Sequence, residues 1–255
     1  MKTITHLLLL TFLLQFFSCT KKTSSAGPVQ NPQNSGPEKQ FETKVKDLIA
    51  NKENLDKAED KGIPILVWAV ENNYVESTKM LLENGADANI KPMPNAYTSV
   101  IFSTVVSLSY GNNPLEKQKV KKNLQIAQLL IKHGADVNFT LGNLKETVLH
   151  KAALRGRTDL CELFIKHGAN ANAATGIGTT PLHQAASAGY WKTVQFLLQK
   201  GAIANSLNKL KQTPLDLANK REDEGLNNKI RKETKLDYNP DADYEKTITI
   251  LKNAK

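Results

Sequence analysis

Apolar residues recur along most of the chain in short bursts on a helical period, each burst closed by a glycine or an asparagine. Leu182, Ala185 and Ala186 fall at i, i+3 and i+4 and give way at Gly189, while Val194, Phe196, Leu197 and Leu198 form a second burst that ends at Gly201. Thr180 stands where a hydroxyl can accept from a free first-turn amide, and Pro181 takes the first helical position, where its missing N–H is no loss. Gly201 suits the positive φ that closes a helix. Asn73 fills the slot of Gly156 and Gly189, and asparagine tolerates left-handed backbone better than other side-chain-bearing residues. The pattern predicts two short antiparallel helices followed by an extended loop, a unit that then repeats.

The repetition is explicit. Thr147-Val148-Leu149-His150-Lys151-Ala152-Ala153, Thr180-Pro181-Leu182-His183-Gln184-Ala185-Ala186 and Thr213-Pro214-Leu215-Asp216-Leu217-Ala218 begin 33 residues apart. A second motif recurs in phase: Leu82 to Asn89 (LENGADAN), Ile131 to Asn138 (IKHGADVN), Ile165 to Asn172 (IKHGANAN) and Leu198 to Asn205 (LQKGAIAN). In these residues the chain resembles the ankyrin repeat family. The resemblance covers roughly residues 40–255 and implies an all-α solenoid of helix-turn-helix units with projecting finger loops. Counting places degenerate copies at Pro64–Val70 and Thr98–Thr104, with extra residues near 111–123 in the second repeat and near 220–243 in the fifth. Val45, Leu48 and Ile49 stand where a lone second helix would cap the N-terminal end. Five repeats with an N-terminal capping half-repeat are expected, more than the three needed to bury a continuous core.

The first residues break the pattern. Met1–Ser18 carries one early cation, Lys2, and then an apolar stretch of about eleven residues, too short at about 1.5 Å per residue for a hydrocarbon core of about 30 Å. This is the layout of an export signal. Phe16-Phe17-Ser18-Cys19 at its end resembles a bacterial lipoprotein signal peptide, which implies a lipid on Cys19 as the mature N-terminus. Thr20 to Pro37 is polar and proline-bearing and reads as a tether. The expected organisation is a signal peptide over 1–18, a lipidated cysteine and linker over 19–37, and a repeat domain over 38–255. The protein would then be exported and lipid-anchored to a bacterial membrane, on the periplasmic or the surface side.

Composition narrows the function. The chain of 255 residues is 40% hydrophobic, enough for a core, and its two cysteines cannot build a disulfide framework. The formal charge is +9, of which Lys2 alone leaves with residues 1–18, so an acidic partner or an anionic surface is compatible with it. His150 and His183 fill the fourth position of the threonine motif, where the resemblance implies structural hydrogen bonds, and His133 and His167 both precede a loop glycine. Periodicity thus accounts for all four, and no metal site is expected. Cys161 shares an inward slot with Val194 and reads as a buried apolar residue. Gly176-Ile177-Gly178 lacks the strand and lysine of a phosphate loop, and no G-x-S-x-G or H-E-x-x-H motif occurs. Neither catalysis nor a cofactor is expected.

Binding residues are sought on the loops. Leu144, Ile177 and Leu210 lie three residues before each leading threonine, with Leu141 and Leu207 three residues earlier, an aliphatic series in phase with the repeat. If exposed on the fingers, the series is a contact surface; if neighbouring fingers stack on it, it is structural. Leu154, Arg155, Ser187 and Ala188, with Lys220 and Arg221, are expected on the same side, and Tyr190 and Trp191 are candidate aromatic anchors. Lys117, Lys119, Lys121 and Lys122 form a basic block that reads either as an electrostatic patch or as a solvated helix extension. The function expected is a monomeric scaffold that binds another protein, with no nucleic acid, since stacking aromatics are missing from the basic block. A narrower version is an inhibitor or immunity-type protein neutralising one envelope enzyme or toxin. An enzyme accessory using the inserted segments is the remaining class.

Overall fold

The computed structural model describes residues 36–56, 63–91, 99–106, 114–223 and 243–254, and its repeat unit begins at Gly36. Eleven helices are seen among the described residues. They are α1 (Pro37–Ala50), α2 (Ile65–Glu71), α3 (Val75–Glu83), α4 (Val100–Val106), α5 (Pro114–Lys132), α6 (Val148–Leu154), α7 (Thr158–Lys166), α8 (Pro181–Ser187), α9 (Trp191–Gln199), α10 (Pro214–Asp223) and α11 (Tyr244–Asn253). The even-numbered helices α2 to α10 pack on one another in sequence and form one layer. Helices α1, α3, α5, α7, α9 and α11 form the second layer in the same way. This is the expected all-α solenoid of five repeats, with α1 as the half-repeat cap packed on α3.

Local chemistry explains the short first helices. In α8, Thr180 is the N-cap and accepts from His183 N, Pro181 occupies the first turn, and Gly189 follows with φ +73°. Leu182, Ala185 and Ala186 are fully buried, as are Leu149, Ala152 and Ala153 one repeat earlier. Alanine lets neighbouring helices approach, and each leucine buried this way contributes about 2 kcal/mol. Asn73 does adopt the left-handed conformation, with φ +59°. Val194 and Leu197 of α9 and Leu160, Cys161 and Phe164 of α7 complete the core between layers. Cys161 is a free, fully buried thiol, and burial pushes its pKa well above the ordinary range.

The insertions lengthen helices. Helix α5 has 19 residues where α3, α7 and α9 have nine, so the extra residues before Asn123 extend the second helix of repeat two. Helix α10 has 10 residues against seven in α6 and α8, so the insertion of repeat five begins as an added turn. Both ends are closed by aromatic rings. Phe41 of α1 stacks on Trp68 at 4.6 Å and meets Tyr74 at 5.5 Å. At the other end Tyr244 lies against Gly189 and its hydroxyl donates to Ser187 O at 2.9 Å.

Candidate binding surface

The threonine motif positions the loops. Thr147 N donates to His150 Nδ1 at 3.1 Å, with Thr147 Oγ1 2.8 Å from the same nitrogen, which leaves Nε2 to donate to Thr179 O of the next repeat at 3.0 Å. His183 repeats the arrangement, with Thr180 N at 3.2 Å from Nδ1 and Gln212 O at 3.0 Å from Nε2. Burial is the chief cause that holds both imidazoles below their ordinary pKa, so they stay neutral and fixed in one tautomer. Each histidine ties the base of one finger to the base of the next. In repeat five Asp216 replaces it. Its carboxylate accepts from Thr213 N at 2.8 Å and from Thr213 Oγ1 at 2.7 Å, bonds that lower its pKa, backbone first.

The fingers are held in register by their own backbones. Leu141 and Glu146 pair across one finger, Gly176 N donates to Leu144 O at 2.7 Å, and Lys209 N donates to Ile177 O at 3.0 Å. Gly178 sits at φ +76°, and a Cβ there would come within 3.1 Å of Asn208 Cα, so the close approach of neighbouring fingers requires glycine. The side chains at the tips stay at least half exposed. Leu144 is 50% exposed, Ile177 51% and Leu210 77%. Leu207 is exposed too, whereas Leu141 packs against the core.

The other candidate residues divide. Leu154, Arg155 and Ser187 are half-buried. Ala188 and Tyr190 are buried and so lie off any accessible surface. Tyr190 packs its ring on Gly156, where an added Cβ would meet it at 2.7 Å, so its role is to seat one repeat on the previous one. Trp191 is half-buried with Lys246 Nζ 3.3 Å from its ring centroid, a cation–π contact to α11. Sequence position alone marks the aromatic pair as anchors because it does not reveal the glycine or the cation that a neighbouring repeat sets against them. Lys117, Lys119, Lys121 and Lys122 all lie on the extended α5, and Lys122 pairs with Glu38 of α1 at 3.2 Å. Cys19 lies outside the described residues. Among the described residues no cluster of metal-ligating side chains occurs, and no helix is long and apolar enough to cross a membrane.

The family description for ankyrin repeats in three copies matches residues 117–208, and its single-repeat form matches residues 61–92. The chain carries ankyrin repeats. It is 35% identical over 96 residues to a protein of Acanthamoeba polyphaga mimivirus named for its ankyrin repeats, covering 36% of this chain and 16% of that protein. A likewise-named protein of Rickettsia bellii is 28% identical over 127 residues, 44% of this chain and 18% of the relative. One from Fowlpox virus is 33% identical over 128 residues, 44% and 16% respectively. The chain therefore spans under a fifth of the length of these three relatives. Ankyrin repeat proteins are usually non-enzymatic binding scaffolds, and ankyrin repeats point to protein partners.

One set of residues in the ankyrin motif has a role that the sequence alone did not disclose. Asn89 donates through Nδ2 to Gly134 O at 2.9 Å and accepts from Asp136 N at 2.8 Å. Asn138 bonds Gly168 O at 3.0 Å and Asn170 N at 3.3 Å, and Asn172 bonds Gly201 O at 2.9 Å and Ile203 N at 2.9 Å. The asparagine that closes each of the first three copies of the second motif is thus a rung between consecutive repeats. Its recurrence in phase was visible, but its partners were not.

Proposed function

We propose that this ankyrin array is an exported scaffold that binds another protein through its finger row, while a lipid on Cys19 holds it at a bacterial membrane. The observation that carries the binding reading is the exposure of Leu144, Ile177 and Leu210 on fingers whose backbones are locked together. Large aliphatic side chains left half or more exposed at these tips keep apolar surface that a partner can cover. The array needs no chemistry of its own for this: rigid spacing lowers the ordering entropy that a partner must overcome.

The double substitution Leu144→Asp, Leu210→Asp tests the binding reading. Partner capture from intact cells should be lost while the melting temperature stays within a few degrees, because the side chains are exposed. A collapse in stability would make the row structural instead. Export and anchoring rest on the sequence of residues 1–19. Cys19→Ala should release the protein from the membrane fraction, and unchanged retention would remove the lipid.

A further inference from the structure

Among the described residues, large hydrophobic side chains are exposed at Trp68, Leu144, Ile177, Ile203, Leu207 and Leu210. All except Trp68 fall on the loops between one repeat's second helix and the next repeat's first. The charges beside the exposed tips are mainly positive, with Asp136 earlier on the first loop. Across residues 139–147, 173–180 and 203–213 the only carboxylate is Glu146, and it is engaged by Lys151. Lys145, Lys209 and Lys211 are exposed directly beside Leu144 and Leu210.

Two of these lysines hold an unfavourable backbone. Lys145 has φ +52° and Lys211 has φ +58°, at the position where the middle finger carries Gly178. A non-glycine residue there is disfavoured by about 1–2 kcal/mol. At residue 142 of the same finger glycine is used for the same backbone sign, so glycine is available to this loop. Lysine sits in the left-handed slot on both outer fingers against local preference, as Lys52 does after α1, and on the fingers this sets its charge beside an exposed leucine.

Resting on the protein-binding reading above, we propose that the finger row docks an acidic segment of the partner protein, one that places large apolar side chains among aspartates or glutamates. Leu144, Ile177 and Leu210 receive the apolar groups, and Lys145, Lys209 and Lys211 meet the carboxylates. A second copy of this chain is a poor occupant, because the same lysines would face each other. A lipid bilayer is a poorer fit as well. The three described tips carry no tryptophan or tyrosine, and the bonds from Gly176 N to Leu144 O and from Lys209 N to Ile177 O fix a single-file spacing that suits a polypeptide and that a fluid surface does not need.

The test uses the full chain as bait for a displayed library of random peptides, beside three variants. One is Lys145→Glu, Lys209→Glu, Lys211→Glu; one is Lys145→Gly, Lys211→Gly, which removes charge while relieving the backbone; one is Leu144→Ser, Leu210→Ser. The wild type should enrich peptides rich in both acidic and large apolar residues. Their affinity should fall about tenfold or more at low salt in the triple reversal, with a gap that narrows as salt rises. The glycine variant should melt at or above the wild-type temperature and still bind more weakly. Enrichment of neutral or basic peptides, or equal binding to the charge variants, overturns the proposal. If neutral apolar peptides bind and need Leu144 and Leu210, the protein-binding reading survives and this inference alone falls; if nothing is enriched over the serine variant, both fall. Two further arms also overturn it: leucine-dependent binding to phosphatidylglycerol vesicles without acidic peptides, and a leucine-dependent dimer in sedimentation.

Discussion

Gly156 and Gly142 share a left-handed backbone but not a neighbourhood. At Gly142, φ is +57° and nothing lies within 4 Å of a built Cβ, whereas at Gly156 the Cβ would meet the Tyr190 ring at 2.7 Å. Gly142→Ala should therefore destabilise by about 1–2 kcal/mol from the backbone alone. Gly156→Ala should add about 1–3 kcal/mol for displacing the ring, and urea midpoints of the two variants will show the gap. The histidines give a pH signature. His150 and His183 have folded-state values below 6.5, so as pH falls through 6.5 the unfolded chain takes up protons first and stability declines. Stability should be flat above neutrality and fall on acidification until the lowered folded values are passed. His183→Leu should shrink that acid-side slope in urea titrations at successive pH values, and it should destabilise by about 1–3 kcal/mol at neutral pH by stranding Thr180 N and leaving Gln212 O only its bond from Asn208 N.

Between elements, regularity comes from bonds that cross repeats, and these were only partly legible in the sequence. The helix pairs, their caps at Thr180 and Pro181 and the left-handed Asn73 follow from local spacing and conformational preference, so the sequence predicts them directly. The capping role of α1 also follows from counting, because Ile49 stands 15 residues before Pro64, the interval from Leu198 to Thr213. Tyr190 and Ala188 could not be placed the same way: what buries them belongs to the preceding repeat, and a ring filling the space above a glycine leaves no mark on its own neighbours in sequence. Trp191 is covered by Lys246, beyond an insertion that breaks the period. The exposure of Leu144 and Leu210 was open in the sequence for a related reason, since it depends on whether fingers stack by side chain or by backbone. They stack by backbone. The asparagine rungs carry a prediction at this scale. Asn138→Ala removes the bonds to Gly168 O and Asn170 N. It should destabilise by about 1 kcal/mol and raise amide exchange at residues 168–172 above that of α9, because a solenoid opens at the weakened junction.

At the scale of the repeat unit, the layers, rungs and fingers combine into an array with one apolar row flanked by lysines. Its use lies in holding three side chains at fixed intervals. The claim that this row is where a partner protein sits is tested most directly by photo-crosslinking in intact cells. A benzophenone amino acid is placed in turn at Leu144, Ile177 and Leu210, and at Glu162 and Gln195 on α7 and α9, which are also exposed. The account predicts one shared protein adduct from the three finger positions and none of it from the two helix positions. The same adduct from Glu162 and Gln195, with none from the fingers, would contradict it.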